Sequence, residues 1–417
     1  MNLSTFGRRF STQAGILTLM DDLGTALAAG DKIMLGGGNP AYIPAIQHRF
    51  RERMQQLLAD GNEFERLIGD YSSPGGHLRF RRAVAELLRR EYGWPLTENN
   101  IALTNGSQSA FFYLFNMFGG KYDDGTLKKI LLPLAPEYIG YADVGVDGEI
   151  FTSNRPRIEF LGNGLFKYHV DFDQVKIGAD IGAICISRPT NPTGNVLTDE
   201  EVARLVQLAA EHHLPLIIDN AYGTPFPDII FTAATPVWNE NIILSMSLSK
   251  LGLPGTRCGI VIAREETIRI LGGMNAIFNL SPTAQGAVLS EEMMRSGEII
   301  ELSRKKIRPF YQEKSQLACR TLSRLLQGTD CFIHTSEGAI FLWLWMRGLP
   351  ITSQELYQRL KNRNVIIVPG HYFFPGLAGE WRHRQECIRI TFAQDDRILE
   401  TGLRIIAEEV VKAYREG

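Results

Sequence analysis

Lys250 is the residue around which chemistry can be assembled in this chain. It follows a short apolar run, Ile242-Ile243-Leu244, and precedes a glycine-rich turn that ends at Gly259. Apolar runs of that length make strands buried on both faces. Open parallel sheets bind ligands at the carboxyl ends of their strands. A lysine held there against apolar walls loses its proton readily and acts as an amine nucleophile. The spacing by itself favours a solvated loop lysine. Four further apolar runs also end in residues with chemistry. The run 101–104 leads to Gly106-Ser107-Gln108, where the start of a following helix offers free N–H groups and small hydroxyls, a site of phosphate size; a plain N-cap by Ser107 fits the same residues. The run at 131–132 leads to Tyr138, a ring that either stacks on a planar ligand or packs in the core. Ile184-Cys185-Ile186 leads to Asn191 in a rigid turn between Pro189 and Pro192. Leu216-Ile217-Ile218 closes at Asp219, with Tyr222 three residues on. A carboxylate directly after a buried strand is costly unless a cation or donors meet it.

Taken together, these strand ends suit a planar, phosphorylated, nitrogen-containing aldehyde. The lysine serves the carbonyl, the acid the ring nitrogen and the helix start the phosphate. Pyridoxal 5'-phosphate answers that description. No metal site competes, because the eight histidines lack ligand-like spacing and the His212-His213 pair reads as a helix end. There is no Gly-x-Ser-x-Gly, P-loop or zinc signature either.

The elements that must position these residues alternate between short apolar strands and helices from residue 101 to 250. That pattern predicts an α/β fold with a mostly parallel central sheet flanked by helices. The body of the helix after Ser107, residues 110–118, is almost wholly apolar and therefore buried. Thr198 and Glu201 have capping-box spacing ahead of a helix with Val202, Leu205 and Ala209 on one face. Earlier helices are expected over 46–59 and 76–92, joined by a loop headed by Tyr71, a ligand contact or an anchor on its own domain. Leu35-Gly36-Gly37-Gly38-Asn39-Pro40 is a cluster that either lets backbone approach a ligand or turns a corner. The last third reads differently. A long helical stretch from about Ser290, broken near Pro309, leads to strands over 339–345, 365–368 and 387–392 and a final amphipathic helix over 397–414. This predicts a smaller α+β domain of residues 1–45 and 301–417 beside a large domain of residues 46–300. Alternation puts Arg389 on the polar face of its strand, as a solvated arginine.

At 417 residues the chain has ample capacity for a large core, and 44% hydrophobic content is that of a globular protein. Its 44 Lys+Arg against 46 Asp+Glu give a formal net charge of -2, which offers no basic surface to nucleic acid. Five scattered cysteines, without Cys-x-x-Cys spacing, read as reduced. No apolar run approaches the ~20 residues that cross a bilayer. A cytoplasmic protein without a membrane partner is expected. Arg8 and Arg9 among hydroxyl residues faintly resemble a transit peptide, but no apolar stretch follows to make a secretory signal, and the segment is expected to enter the fold.

Asn191-Pro-Thr-Gly, Asp219-x-x-Tyr222, Ser247-x-Ser-Lys250 and Arg257-x-Gly259, in this order, resemble the fold-type I pyridoxal-phosphate aminotransferases. The resemblance covers nearly the whole chain, including Phe6-Gly7, Leu19-Met20 and Pro369-Gly-His-Tyr-Phe-Phe-Pro-Gly376. It implies that Lys250 holds the cofactor as a Schiff base and then moves the proton at the substrate Cα. Asp219 would keep the ring nitrogen protonated, and Tyr222 and Asn191 would bond the phenolic oxygen. Gly106, Ser107, Gln108, Ser247 and Arg257 would hold the phosphate, and Tyr138 would stack on the ring. Tyr71 would reach the phosphate of a partner subunit's cofactor, which implies a homodimer with shared active sites. The resemblance also replaces the solvated reading of Arg389 with a grip on the substrate α-carboxylate, assisted by Gly38 and Asn191. The implied reaction is ping-pong amino transfer between L-valine, or a similar apolar amino acid, and pyruvate. Aminotransferases of other substrate range and carbon–sulfur lyases share the lysine and acid. Tyr42 and Phe373 are candidates for an apolar side-chain pocket.

Overall fold

The computed structural model describes residues 2–4, 7, 8, 24 and 32–416. Phe6, Leu19 and Met20 lie outside them. The apolar runs of the middle of the chain form one sheet. Its order is Ile101–Asn105, Cys258–Ile262, Ile242–Ser247, Leu216–Asp219, Ile181–Ser187, Leu127–Leu132 and Gly120–Lys121, with Phe151–Ser153 also paired to Leu127–Leu132. The strands from Leu127–Leu132 to Ile242–Ser247 are mutually parallel. Cys258–Ile262 runs antiparallel to both neighbours, so Ile101–Asn105 points the same way as the parallel set. That reversed strand was not visible in the sequence, where its five residues follow directly on the glycine-rich turn.

Along Ile181–Ser187, Ile184 and Ile186 enter one core while Ala183 and Cys185 enter the other, and Leu216 and Ile218 divide from Ile217 in the same way. Both faces are covered, which is why these strands read as unbroken apolar runs. The helix Ser107–Phe118 lies on the Cys185 face with Phe111, Leu114 and Phe115 buried, each such side chain contributing about 1.5–3 kcal/mol. Helices Leu78–Tyr92, Asp199–Glu211 and Gln285–Ser296 supply the opposite core through Phe80, Val84, Val202, Leu205 and Met293. The capping box forms as expected: Thr198 Oγ1 accepts from Glu201 N at 3.1 Å, and Glu201 Oε2 accepts from Thr198 N at 2.8 Å.

A second sheet has the order Val368–Pro369, Cys387–Thr391, Phe341–Met346, Cys331–His334, Leu165–His169 and Arg157–Gly162. The last two strands fall inside the 46–300 span yet extend this sheet, through parallel pairing of Leu165–His169 with Cys331–His334. Ile33–Met34 pairs in parallel with Val365–Ile366. The expected interruption near Pro309 is a π-turn just ahead of it. The helix Gln285–Ser296 ends at Gly297, and a π-turn at Ser303–Ile307 runs on into Arg308–Leu325. Pro309 follows the π-turn directly, and such a turn accommodates the missing N–H and the ring of a proline inside a helical run. No helix among the described residues is long and apolar enough to cross a membrane.

Candidate active site

The carboxyl ends of five co-directed strands and the start of the reversed one meet at one edge of the large sheet. A cleft of about 460 Å³ opens there, and its lining brings together Gly38, Ser107, Gln108, Tyr138, Asn191, Asp219, Tyr222, Ser247, Lys250, Arg257 and Arg389. Gly106 stands directly behind Ser107. Tyr71 does not join them; it is 83% exposed, on the outside of its own chain. Tyr42 is exposed too, and Phe373 is fully buried beneath Arg389, so neither lines the cleft.

Lys250 lies in the 3₁₀ turn Ser249–Leu251 that ends the strand Ile242–Ser247. Its Nζ donates to the Gly38 carbonyl at 2.6 Å and sits 5.4 Å from the centre of the Tyr222 ring. Desolvation in the cleft, then the positive charges of Arg389 and Arg257, push its pKa down to about 8 against the pull of Asp219. Asp219 is buried at the end of its strand, accepting from Tyr141 Oη at 2.9 Å and from Ala221 N at 3.0 Å. Burial raises its pKa to about 6, while those two donors and Lys250 hold it from rising further.

The helix Ser107–Phe118 begins at Gly106 with no side-chain cap, so Ser107 is not the N-cap and the first turn is left facing the cleft. Gly106 has φ 83°, and a Cβ there would stand 2.1 Å from Arg257 Nη2. A Cβ on Gly259 would lie 2.7 Å from Ser107 N and 2.6 Å from Gly106 C. These two glycines let Arg257 and the helix start crowd together, which makes a cationic, N–H-rich cradle. Ser247 Oγ accepts from Ser249 N at 3.1 Å and lies 3.0 Å from Ser249 Oγ. Ser249 lines the cleft as well, although the sequence singled out only its neighbours.

Arg389 is not solvated. The face of its strand that alternation marked as polar packs on the cleft, and the side chain is 5% exposed. Its guanidinium lies 4.1 Å from the centre of the Phe341 ring; Nη1 donates to Asn191 Oδ1 at 2.8 Å and Nη2 to the Gly36 carbonyl at 2.6 Å. Nε is buried with no partner, and among the described residues no carboxylate pairs with it. Burial pushes its pKa down to about 10, so it stays charged at neutral pH. A buried, unneutralised guanidinium with a spare donor is a site for an anion.

Residues 31–406 match the family model "Aminotransferase class I and II". The chain belongs to that family. It is 51% identical to the valine–pyruvate aminotransferase of Escherichia coli K12 over all 417 residues, covering 100% of each chain. The crystal structure of valine-pyruvate aminotransferase from Salmonella typhimurium LT2 superposes with a TM-score of 0.89 at 51% identity, over 96% of this chain and all of that one. An α-aminoadipate aminotransferase from Thermus thermophilus, complexed with N-(5'-phosphopyridoxyl)-L-leucine, shares the fold at 21% identity and a TM-score of 0.78, over 100% and 98% of the two chains.

The class I and II aminotransferases depend on pyridoxal phosphate, and this cleft fits it. Asp219 is a buried acid whose hydrogen-bond donors, Tyr141 and Ala221, are neutral, leaving it able to face a ring N–H⁺. The uncapped helix start with Arg257 suits a phosphate, and Lys250 is a lysine that can reach its neutral form. Tyr141 is the principal residue that sequence reasoning missed. The demand of Asp219 for donors was legible, but the identity of a donor 78 residues away in sequence was not.

Proposed function

We propose that this aminotransferase exchanges the amino group of L-valine, or a similar apolar amino acid, with pyruvate, giving 3-methyl-2-oxobutanoate and L-alanine. The observation that carries the reading is the full-length 51% identity to an enzyme named for that pair of substrates. The charge inventory of the cleft supports it. Among the described residues lining the cleft the cations are Lys250, Arg257 and Arg389. The first serves the cofactor carbonyl, the second its phosphate and the third the substrate α-carboxylate. None is left for a carboxylate on the substrate side chain, and Met34, Ile139 and Pro254 offer apolar wall instead.

Pyridoxal phosphate, when bound, supplies an exchangeable carbonyl and a ring that takes up electron density from the substrate Cα. Lys250 would hold the cofactor through its Nζ. Its depressed proton affinity then suits it to take the proton from the substrate Cα and return it. Asp219 would keep the ring nitrogen protonated, with Tyr222 and Asn191 serving the phenolic oxygen. Gly106, Ser107, Gln108, Ser247 and Arg257 would hold the phosphate, and Tyr138 would cover the ring. Arg389 clamps the α-carboxylate, giving up the neutral Gly36 carbonyl for a charged partner while Asn191 and Gly38 orient it. The working unit is a cytoplasmic homodimer. Tyr71, exposed on its own chain together with Ile68, Ile277, Phe278 and Leu280, reaches the phosphate site of the partner copy.

The test is optical. The purified protein loaded with pyridoxal phosphate is titrated with L-valine, and conversion of the aldehyde absorbance to the amine absorbance, reversed by pyruvate, supports the reading. Release of ammonia without dependence on an oxo acid would replace it with a lyase. A monomer at micromolar concentration would remove the shared site.

A further inference from the structure

Asp219 is the cleft end of a longer buried line. Ser187 and Asp219 close neighbouring parallel strands and are register partners. Strand parity puts both on the face of Cys185 and Ile217, which Tyr141 covers. Tyr141 Oη donates to Asp219 Oδ2 at 2.9 Å and lies 3.3 Å from Ser187 Oγ. Ser187 Oγ is 2.5 Å from Glu137 Oε2, and Ser187 N donates to Glu137 Oε1 at 2.9 Å. All four residues are buried.

Each hydroxyl has a single proton to give, and that limits the pattern. Tyr141 gives its proton to Asp219. Were Glu137 ionised, Ser187 would turn its proton to Glu137, Tyr141 Oη would lose its donor, and two buried carboxylates would face each other. With a proton on Glu137, Glu137 donates to Ser187, Ser187 to Tyr141 and Tyr141 to Asp219, and every link is satisfied in one direction. Burial acts in the same sense. The Glu137 carboxyl is pushed up to about 8, further than Asp219 at about 6, so the more deeply enclosed acid keeps the proton. The other ionisable groups facing the pair are Tyr141, the Cys185 thiol on the same face, and Tyr138, Tyr222 and Lys250 on the cleft side of Asp219. From the far side, the Phe373 backbone carbonyl accepts the Glu137 N–H at 2.8 Å and adds no charge.

We propose that Glu137 is a positioning residue: the protonated far end of a donor line, Glu137 to Ser187 to Tyr141 to Asp219, that makes the two carboxyl groups share one negative charge and holds it at the cleft. This rests on Asp219 being the acid that faces the cofactor ring. Run along its own direction, Glu137 passes its proton to Ser187, Ser187 passes its own to Tyr141 and Tyr141 passes its own to Asp219. One proton changes ends, and no net charge is made. Between pH 6 and 8 the pair titrates as a unit, and that unit carries a single negative charge.

The experiment is infrared spectroscopy of the cofactor-free full chain between pH 5 and 9.5. A carbonyl band of a protonated carboxylic acid, sensitive to D₂O, is expected at pH 7, fading toward pH 9 and absent from Glu137→Gln. In Tyr141→Phe that band stays, and the Asp219 step moves up by about one unit because its strongest donor is gone. A wild type with no protonated carboxyl at pH 7, or a band that survives in Glu137→Gln, overturns the proposal, as does an unmoved Asp219 step in Tyr141→Phe. Should Glu137→Gln fail to fold, the wild-type titration alone decides, two carboxyl steps supporting the line and the lack of a band at pH 7 sinking it. Pyridoxal phosphate binding is followed separately by fluorescence quenching. Failure to bind removes the cofactor reading and leaves the carboxyl result standing.

Discussion

Lys250 and Arg389 are two cations drawn into one cleft from two different sheets, and both donate to carbonyls of the same glycine segment. Lys250 sits in a turn at the end of a strand of the large sheet, where desolvation and two neighbouring cations bring it to about 8. Arg389 sits within a strand of the second sheet, laid on Phe341, and burial brings it only to about 10. The same loss of water therefore makes one charge negotiable at neutral pH and leaves the other fixed. In the proposed function, proton transfer and carboxylate binding are thereby separated by residue type rather than by place, because guanidinium resists deprotonation where ammonium does not.

The sharpest way to break this contrast is to remove the negotiable charge. Lys250→Ala should lower turnover by at least about 10³-fold while a bound 2-oxo acid keeps its affinity at Arg389, as measured by kcat and by inhibition. Restoration of turnover by Lys250→Arg would show that a fixed cation suffices, and the contrast would fail. Arg389→Lys comes next. A single ammonium cannot replace a stacked fork that serves Asn191, Gly36 and a carboxylate together, so kcat/KM for both substrates should fall about 30- to 1000-fold with cofactor affinity unchanged. Gly106→Ala should act on the opposite partner. Its Cβ would displace Arg257, and equilibrium dialysis should show the dissociation constant for pyridoxal phosphate rising about 10-fold or more.

The smallest effect lies in stability against pH. Glu137 has a folded pKa raised from the ordinary 4.5 to about 8, so the native state retains a proton that the unfolded chain releases. Its contribution is fully present below pH 4.5 and is lost as pH rises toward 8, and Asp219 acts in the same sense up to about 6. The Tm of the cofactor-free protein should fall by a few degrees between pH 5 and 8, and less steeply in Glu137→Gln. Lys250 has the opposite sign. Its lowered pKa means that the unfolded chain binds more protons between about 8 and 10.5, so its burial penalty is relieved as pH rises through that window. Thermal melts of Lys250→Ala against wild type on either side of pH 8 check that reversal.

Residues at the ends of buried strands were legible. An apolar run followed by Asp219 or Lys250 is a local pattern, and so is the capping box at Thr198 and Glu201. Arg389 misled by alternation, which assumes that one face of a strand meets water, whereas here that face packs on the cleft. Tyr141, Ser187 and Glu137 carry no local mark. Tyr141 meets Asp219 because the fold lays it over the strand ends, and Ser187 meets it because two strands end in register. The reversed direction of Cys258–Ile262 was hidden for the same reason, since composition records that a strand is apolar but not which way it runs.

The glycine segment beside the two cations is itself held from both sides. Leu35 donates to Ile366 O and accepts from Thr391 N, both at 2.8 Å, so Gly36 and Gly38 are tethered next to Arg389 and Lys250. A tethered ligand acts at an effective concentration of about millimolar or higher. Without cofactor the buried guanidinium and amine are therefore solvated by the chain's own backbone. An anion that binds Arg389 must first out-compete the Gly36 carbonyl. A carboxylate, with two oxygens, can meet both the donor freed from Gly36 and the spare Nε, and a stray chloride can meet only one of them.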